Sequence, residues 1–234
     1  MVAAIILVRM DSKRFPNKAF SELGGIKLIE HSIHALKKDS FFRPIIATSE
    51  RDVDKPLAEL AKSNNIEVFR GSLEDVSKRV IDCLQCYNIK EFYRINGDSP
   101  FIRLNLLKQG YDLFKKQGYD FVTNLRPRTF PYGISLELFS SDVFIENMKK
   151  VNDPFYKENI TSYFYDNIDR FKFGNISMND GCNYSNIHLT VDTAEDLTSV
   201  QKMIDIDKCI FEKNIEEIVS VFNKVNFKKE KNYD

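Results

Sequence analysis

Apolar positions recur along the chain at two periods, and the switches between them mark out the elements. Val2–Val8 is an unbroken apolar run, the pattern of a parallel strand buried on both faces. A polar loop follows, Arg9 to Ile26. Over Lys27–Lys38 the period becomes helical, with Leu28, Ile29, Ser32, Ile33 and Leu36 on one side. Strands then alternate with helices. Pro44–Ser49, Ile66–Phe69 and Phe92–Ile95 read as strands, and Val53–Asn64, Glu74–Tyr87 and Leu104–Lys116 as helices, with a further strand starting at Asp120–Val122. Strands spaced by helices of this length require right-handed crossovers and a mostly parallel sheet.

Beyond Asn124 the pattern breaks. Thr129–Ser140 alternates like an antiparallel strand, with a turn at Pro131-Tyr132-Gly133. Ser141–Lys150 and Pro154–Asn167 read as helical, Phe171–Ile176 and Asn186–Val191 as strands, and Ala194–Ile206 and Ile210–Asn223 as closing helices. Lys224–Asp234 carries four lysines and little apolar content, so a frayed polar tail is expected there. The whole reads as one α/β domain of nucleotide-binding type over residues 1–223, with an antiparallel insertion at about 125–184.

Composition narrows the function. The chain has 234 residues, enough for a full core without metals or disulfides. Lys plus Arg is 34 and Asp plus Glu is 34, so the net charge is 34 − 34 = 0. A general nucleic-acid binder or polybasic membrane binder needs a sustained positive field, which this balance excludes. No apolar run is long enough to span a bilayer, and the apolar N-terminus lacks the basic flank of a signal peptide, so a cytoplasmic location is expected. The four cysteines are too few for a disulfide scaffold. Cys83 and Cys86 form a C-x-x-C, but their helical surroundings and the lack of a second ligand pair favour structural cysteines over redox or zinc chemistry. His31 and His34 fall on a helix and His188 in a strand, and no catalytic triad is readable from them.

Three places can carry chemistry. In an open parallel sheet ligands bind beyond the carboxyl ends of the strands. The loop after the first strand, Arg9-Met10-Asp11-Ser12-Lys13-Arg14-Phe15-Pro16-Asn17-Lys18, holds four cations and one carboxylate. In a chain of zero net charge that excess suggests an anion site, the bland alternative being a solvated basic loop. It is neither a Walker A nor a G-x-G-x-x-G sequence. The second place is Asn96-Gly97-Asp98-Ser99-Pro100, where Gly97 permits close backbone approach and Asp98 stands at a strand tip. The third is Thr190-Val191-Asp192-Thr193. Asp192 is again an acid at a strand end, but Asp192 or Thr193 can equally cap the next helix, with Glu195 and Asp196 in its first turn. Two hard-oxygen ligands beside a basic loop are what Mg²⁺ and a nucleoside triphosphate require.

The stretch V-R-M-D-S-K-R-F-P-N-K followed by L-G-G-I-K-L-I-E resembles the sugar-activating cytidylyltransferases, which include the CMP-sialic-acid and CMP-Kdo synthetases, and most closely their spore-coat-polysaccharide-type homologues. The family pattern R-x-x-S-x-R-x-P-x-K falls on Arg9, Ser12, Arg14, Pro16 and Lys18. A-T-S at 47–49, F-R-G-S-L-E-D-V at 69–76, N-G-D-S-P at 96–100 and T-V-D-T-A-E-D at 190–196 follow in family order, so the likeness covers about residues 2–206. It implies a Rossmann-like, GT-A-like domain. It further implies that Arg9, Arg14 and Lys18 hold the triphosphate, with Val8, Ser12, Lys13, Ser49, Asn96 and Gly97 around the nucleotide. Asp98 and Asp192 would hold Mg²⁺, and Arg70, Gly71 and Asp75 would lie near the base and ribose. Arg9, Arg14, Lys18 and Asp98 would be catalytic, and Arg128, Tyr132, Glu137, Lys157 and Glu158 would face the sugar.

Departures from the family pattern fall on the sugar side. F-P-D-G-L-D-V-E appears here as Phe130-Pro131-Tyr132-Gly133-Ile134-Ser135-Leu136-Glu137, R-E-H-V-T as Lys157-Glu158-Asn159-Ile160-Thr161, and an acid expected after G-D-x-P is Arg103. The expected activity is therefore transfer of a cytidylyl group from CTP to a sugar, an acidic one if Arg128, Lys157 or Arg103 pairs with its carboxylate. Two rivals stand beside it. A GT-A-type glycosyltransferase usually carries a D-x-D pair, absent from the Asp98 motif. A non-catalytic nucleotide-binding homologue would bind CTP without turnover. The family also implies a homodimer, for which Phe130, Tyr132, Ile134, Leu136 and Phe139 of the insertion would supply an apolar surface.

Overall fold

The computed structural model describes residues 1–12 and 14–230, with the backbone alone at Asp180 and 227–230. In chain order the strands are β1 (Val2–Leu7), the short pair β2 (Glu22–Leu23) and β3 (Ile26–Lys27), β4 (Phe42–Ser49), β5 (Glu67–Gly71), β6 (Glu91–Asn96), β7 (Phe121–Thr123), β8 (Glu137–Ser140) and β9 (Phe173–Asn175). The helices are α1 (Leu28–Lys37), α2 (Lys55–Ser63), α3 (Val76–Cys86), α4 (Leu104–Gln117), α5 (Ser141–Met148), the short α6 (Pro154–Glu158) and α7 (Ser162–Asp166), α8 (Ala194–Ile206) and α9 (Ile215–Glu230).

Seven strands form one sheet in the order β5-β4-β1-β6-β8-β7-β9. β1 lies between β4 and β6 and is parallel to both. Its unbroken apolar run has a direct cause: Ala4 and Ile6 enter one core, Ala3 and Ile5 the other. From β1 the chain steps outward through β4 to β5, then returns across β1 to β6. The loops leaving β1 and β6 therefore diverge and open a crevice at the carboxyl edge of the sheet. β8 runs antiparallel between β6 and β7, and β9 pairs parallel to β7. This register aligns Phe92, Phe139, Phe121 and Phe173 across adjacent strands, with ring centroids 5.8, 5.2 and 5.5 Å apart.

Several expected elements differ. The antiparallel strand expected over Thr129–Ser140 is reduced to Glu137–Ser140. No strand forms over Asn186–Val191. That segment crosses the insertion at one point, where the Tyr132 amide donates to Ile187 O and the Leu189 amide to Tyr132 O, both at 2.8 Å. Gly133 makes the crossing possible: at φ +95° an added Cβ would lie 2.9 Å from the Leu189 carbonyl carbon. The last helix starts at Ile215, because Asn214 and Glu217 cap it reciprocally, with amide-to-side-chain bonds of 3.1 and 2.8 Å. It runs through the expected tail to Glu230, and residues 231–234 lie outside the described residues. The apolar surface expected for a dimer is covered by this chain itself, since Phe130, Ile134, Leu136 and Phe139 are all buried and only Tyr132 is open. No helix among the described residues is long and apolar enough to cross a membrane.

Candidate active site

The crevice between the β1 and β6 loops is a cleft of about 720 Å³. One wall is the β1 loop, shaped by local bonds. Asn17 adopts a left-handed conformation (φ 59°), and its amide donates to Met10 O at 2.9 Å, folding the loop back on itself. The Met10 amide donates to Asp54 Oδ1 at 2.7 Å. Asp54 is fully buried and also accepts from the Ser49 hydroxyl and from Arg51 Nη2, the latter at 3.0 Å. A second Arg51 nitrogen reaches Asp11 at 2.5 Å and holds its carboxyl below the usual carboxylate range.

The opposite wall is the β6 loop. Gly97 lies so close to β1 that an added Cβ would meet Val8 Cβ at 2.9 Å. Asp98 follows, and its carbonyl accepts the Val191 amide at 3.0 Å, which brings the third motif alongside. The capping ambiguity there resolves in favour of Thr193: its hydroxyl accepts the Asp196 amide at 3.2 Å and Asp196 reaches back to the Thr193 amide at 2.9 Å. Asp192 is thereby left to point into the cleft.

At the centre, Lys18 Nζ lies 2.7 Å from Asp98 Oδ2 and 3.0 Å from Asp192 Oδ1. Arg14 Nη2 is 2.9 Å from the same Asp192 oxygen. Burial alone pushes the Lys18 amine down, but the two carboxylates outweigh it and hold the amine above its ordinary range. Two acids more than ninety positions apart thus converge on one point. Asp98 and Asp192 offer hard oxygens, and among the described residues no third acid, histidine or cysteine joins them. That donor set fits Mg²⁺, which takes one or two carboxylates and fills its remaining positions with water and phosphate oxygens.

Val8, Arg9, Ser12, Asn96, Gly97, Tyr132 and Glu158 also line the cleft. Arg9 Nη2 is 3.3 Å from Glu158 Oε1, tying α6 of the insertion to the β1 loop. Other expected residues are engaged elsewhere. Ser49 is buried against Asp54, Arg70 donates to the carbonyls of Ser49, Glu50 and Arg51 at 3.2, 2.7 and 2.8 Å, and Asp75 caps α3 through the Lys78 amide at 2.7 Å. Gly71 leaves room for the Arg79 stem, since a Cβ there would meet Arg79 Cγ at 3.2 Å. Lys157 pairs with Asp75 at 3.6 Å. Arg128 lies 4.0 Å over the Tyr132 ring and Glu137 is buried, while Arg103 donates to Phe211 O at 2.6 Å in a separate cavity. Lys13 lies outside the described residues.

The cleft residues absent from the expected site include four polar ones. His188 stacks on Tyr132 at 4.5 Å with the rings 4° from parallel. Thr190 lies beside Asp192. Arg79 on α3 is only 3% exposed and lacks a carboxylate partner among the described residues, and burial pushes its guanidinium down. Arg94 lines the floor, and a lone cation in the buried strand F-Y-R-I-N was the available signal.

Comparison with known proteins places this geometry. A family model described as "Cytidylyltransferase" matches residues 3–233. An uncharacterized protein of Methanocaldococcus jannaschii is 30% identical over 209 residues, 88% of this chain and 85% of that one. The spore coat polysaccharide biosynthesis protein SpsF of Bacillus subtilis is 27% identical over 206 residues, 85% of this chain and 84% of its own. A solved cytidylyltransferase structure from Leptospira borgpetersenii superposes with a TM-score of 0.88 at 30% identity, covering 95% of this chain and 94% of the other.

Proposed function

The chain belongs to the cytidylyltransferase family, and from that premise we propose that it joins the cytidylyl group of CTP to a hydroxyl of an acidic sugar, releasing pyrophosphate. The observation that carries this reading is the meeting of Lys18, Asp98 and Asp192 within 3.0 Å, with Arg14 alongside. The similarity to a polysaccharide-biosynthesis protein supports a sugar as acceptor and a role for the product in surface polysaccharide assembly.

The bond that forms joins the sugar oxygen to the α-phosphorus. The bond that breaks is the one from the α-phosphorus to the bridging oxygen of the departing pyrophosphate, and the hydroxyl proton leaves to solvent. This chemistry asks the protein mainly to position reactants and balance charge. Arg9, Arg14 and Lys18 supply cations along one wall, in reach of the phosphates. Asp98 and Asp192 would hold Mg²⁺, which when bound neutralises phosphate charge and acts as a Lewis acid at phosphorus. Gly97 lets the β6 loop pack against Val8 and so sets the two walls of the cleft together. Tyr132, stacked on His188, walls the sugar end.

Pyrophosphate release measured with Mg²⁺, CTP and a panel of sugars tests the reading. Release is expected with CTP and a sugar acid, well above that with ATP, GTP or UTP. No release with any triphosphate and sugar would sink it.

A further inference from the structure

Arg94, like Arg79 on α3, is a cleft cation that neither the β1 loop nor the Asp98 motif accounts for. Strand alternation places Phe92, Arg94 and Asn96 of β6 on one face of the sheet. Arg94 Nη1 donates to Glu137 Oε2 on β8 at 2.6 Å. The other oxygen of that carboxylate accepts from the Tyr165 hydroxyl at 2.6 Å, and the hydroxyl in turn lies 3.0 Å from Thr123 Oγ1. Glu137 is 1% exposed, so its carboxylate is confined to this network and does not reach the cleft. Arg94 differs: 23% of its side chain is open, it lines the cleft, and its Nη2 has no partner among the described residues. Its Nε is buried without a hydrogen bond as well.

A buried ion pair is a poor way to stabilise a sheet, because desolvation offsets most of the attraction and an apolar pair would serve as well. This pair does something else. It fixes a guanidinium at the wall of a ligand cleft with Nη2 left without a protein partner among the described residues, and that nitrogen can donate to an oxyanion. Its place tells which oxyanion. Arg94 lies on the β6–β8 side of β1, against the insertion, whereas Arg9, Arg14 and Lys18 reach the cleft from the β1 loop.

We propose that Arg94, held by Glu137, anchors the acidic group of the acceptor, with Arg94 as the binding residue and Glu137 as its positioning residue. This deepens the cytidylyl-transfer reading and rests on it. An oxyanion at Arg94 has two possible sources, the sugar's carboxylate and a phosphate of CTP, and the kinetics of each substrate separate them.

The experiment measures pyrophosphate release by the wild-type chain, R94M and E137Q. The sugars are 3-deoxy-manno-octulosonate and an N-acylated nine-carbon 2-keto acid, set against neutral aldoses. The wild type is expected to use an acid and not the aldoses. R94M should raise KM for the acid about thirtyfold or more while KM for CTP stays within about threefold. E137Q keeps the shape but loses the charge, its one amide oxygen accepting from Arg94 while its NH2 donates to the Tyr165 hydroxyl, so it should raise KM for the acid about fivefold and leave that for CTP alone. If R94M does not fold, the E137Q split decides. A rise in KM for CTP instead, unchanged kinetics in a folded R94M, or turnover of neutral aldoses only would overturn the assignment and leave cytidylyl transfer standing. No release with any sugar removes both.

Discussion

The two halves of the cleft put their charged residues to different uses. On the β1 side the sequence motifs themselves deliver the site: Arg9, Arg14 and Lys18 come from one loop of ten residues and face the ligand space directly. On the insertion side most expected residues are taken up by internal structure. Glu137 is sealed against Arg94 and Tyr165, Arg128 lies on Tyr132, and Lys157 is paired with Asp75. A motif at the end of a parallel strand has little choice of direction, because the strand ends in the crevice. A charged residue in an irregular insertion can find its partner almost anywhere.

The largest effect that could break this comparison is catalytic. Asp98→Asn and Asp192→Asn should each lower turnover about a hundredfold or more, near 3 kcal/mol of transition-state stabilisation. Because the two acids converge on one point, the double variant should be little worse than either single one. Ordinary turnover by a folded Asp98→Asn protein would show that the point where Lys18 meets the two acids is not the reacting centre.

On the insertion side the corresponding loss should fall on stability. Glu137→Ala leaves the Arg94 charge buried without its partner and should cost about 3 kcal/mol, read by urea unfolding. Lys157→Ala breaks only a half-exposed pair and should cost under about 1 kcal/mol. Similar costs for the two would erase the distinction between sealed and open charges.

A smaller test separates cap from ligand at Thr193 and Asp192. Thr193→Ala should lose about 1 kcal/mol of stability and leave turnover per folded molecule unchanged. Asp192→Asn should do the reverse. Melting temperatures and turnover measured side by side give the answer.

The smallest effect concerns the C-x-x-C. Burial pushes the Cys83 thiol up to about 12, while Cys86 is exposed. The raised value means that Cys83 stays protonated in the folded chain when an unfolded thiol would already ionise, so its stabilising contribution is full below pH 9.0 and fades as pH climbs toward 12. Iodoacetamide at pH 8 should therefore modify Cys86 and Cys209 and spare Cys83. Rapid labelling of Cys83 would place it outside the core that backs β1 and β4.

Much of the fold was legible from hydrophobic period. Strand–helix alternation through Asp120 produced the parallel half of the sheet, because a strand buried on both faces and a one-sided helix leave different apolar patterns. The β1 loop and the Asp98 motif were legible as well, since strand ends place them at one edge, whereas Asp192 follows no strand and is brought there by the bond from the Val191 amide to Asp98 O. The period could not decide the insertion. Asn186–Val191 has a strand's composition yet makes only a crossing at Tyr132, and Thr129–Ser140 forms a regular strand over its last four residues alone. The partners of those segments are fixed by contacts distant in sequence. The choice between Asp192 and Thr193 as cap, the sealing of Glu137 and the unpartnered Nη2 of Arg94 likewise depend on which groups meet in space. A side chain's charge is written in the chain, but whether it faces water, a ligand or a buried partner is set by packing.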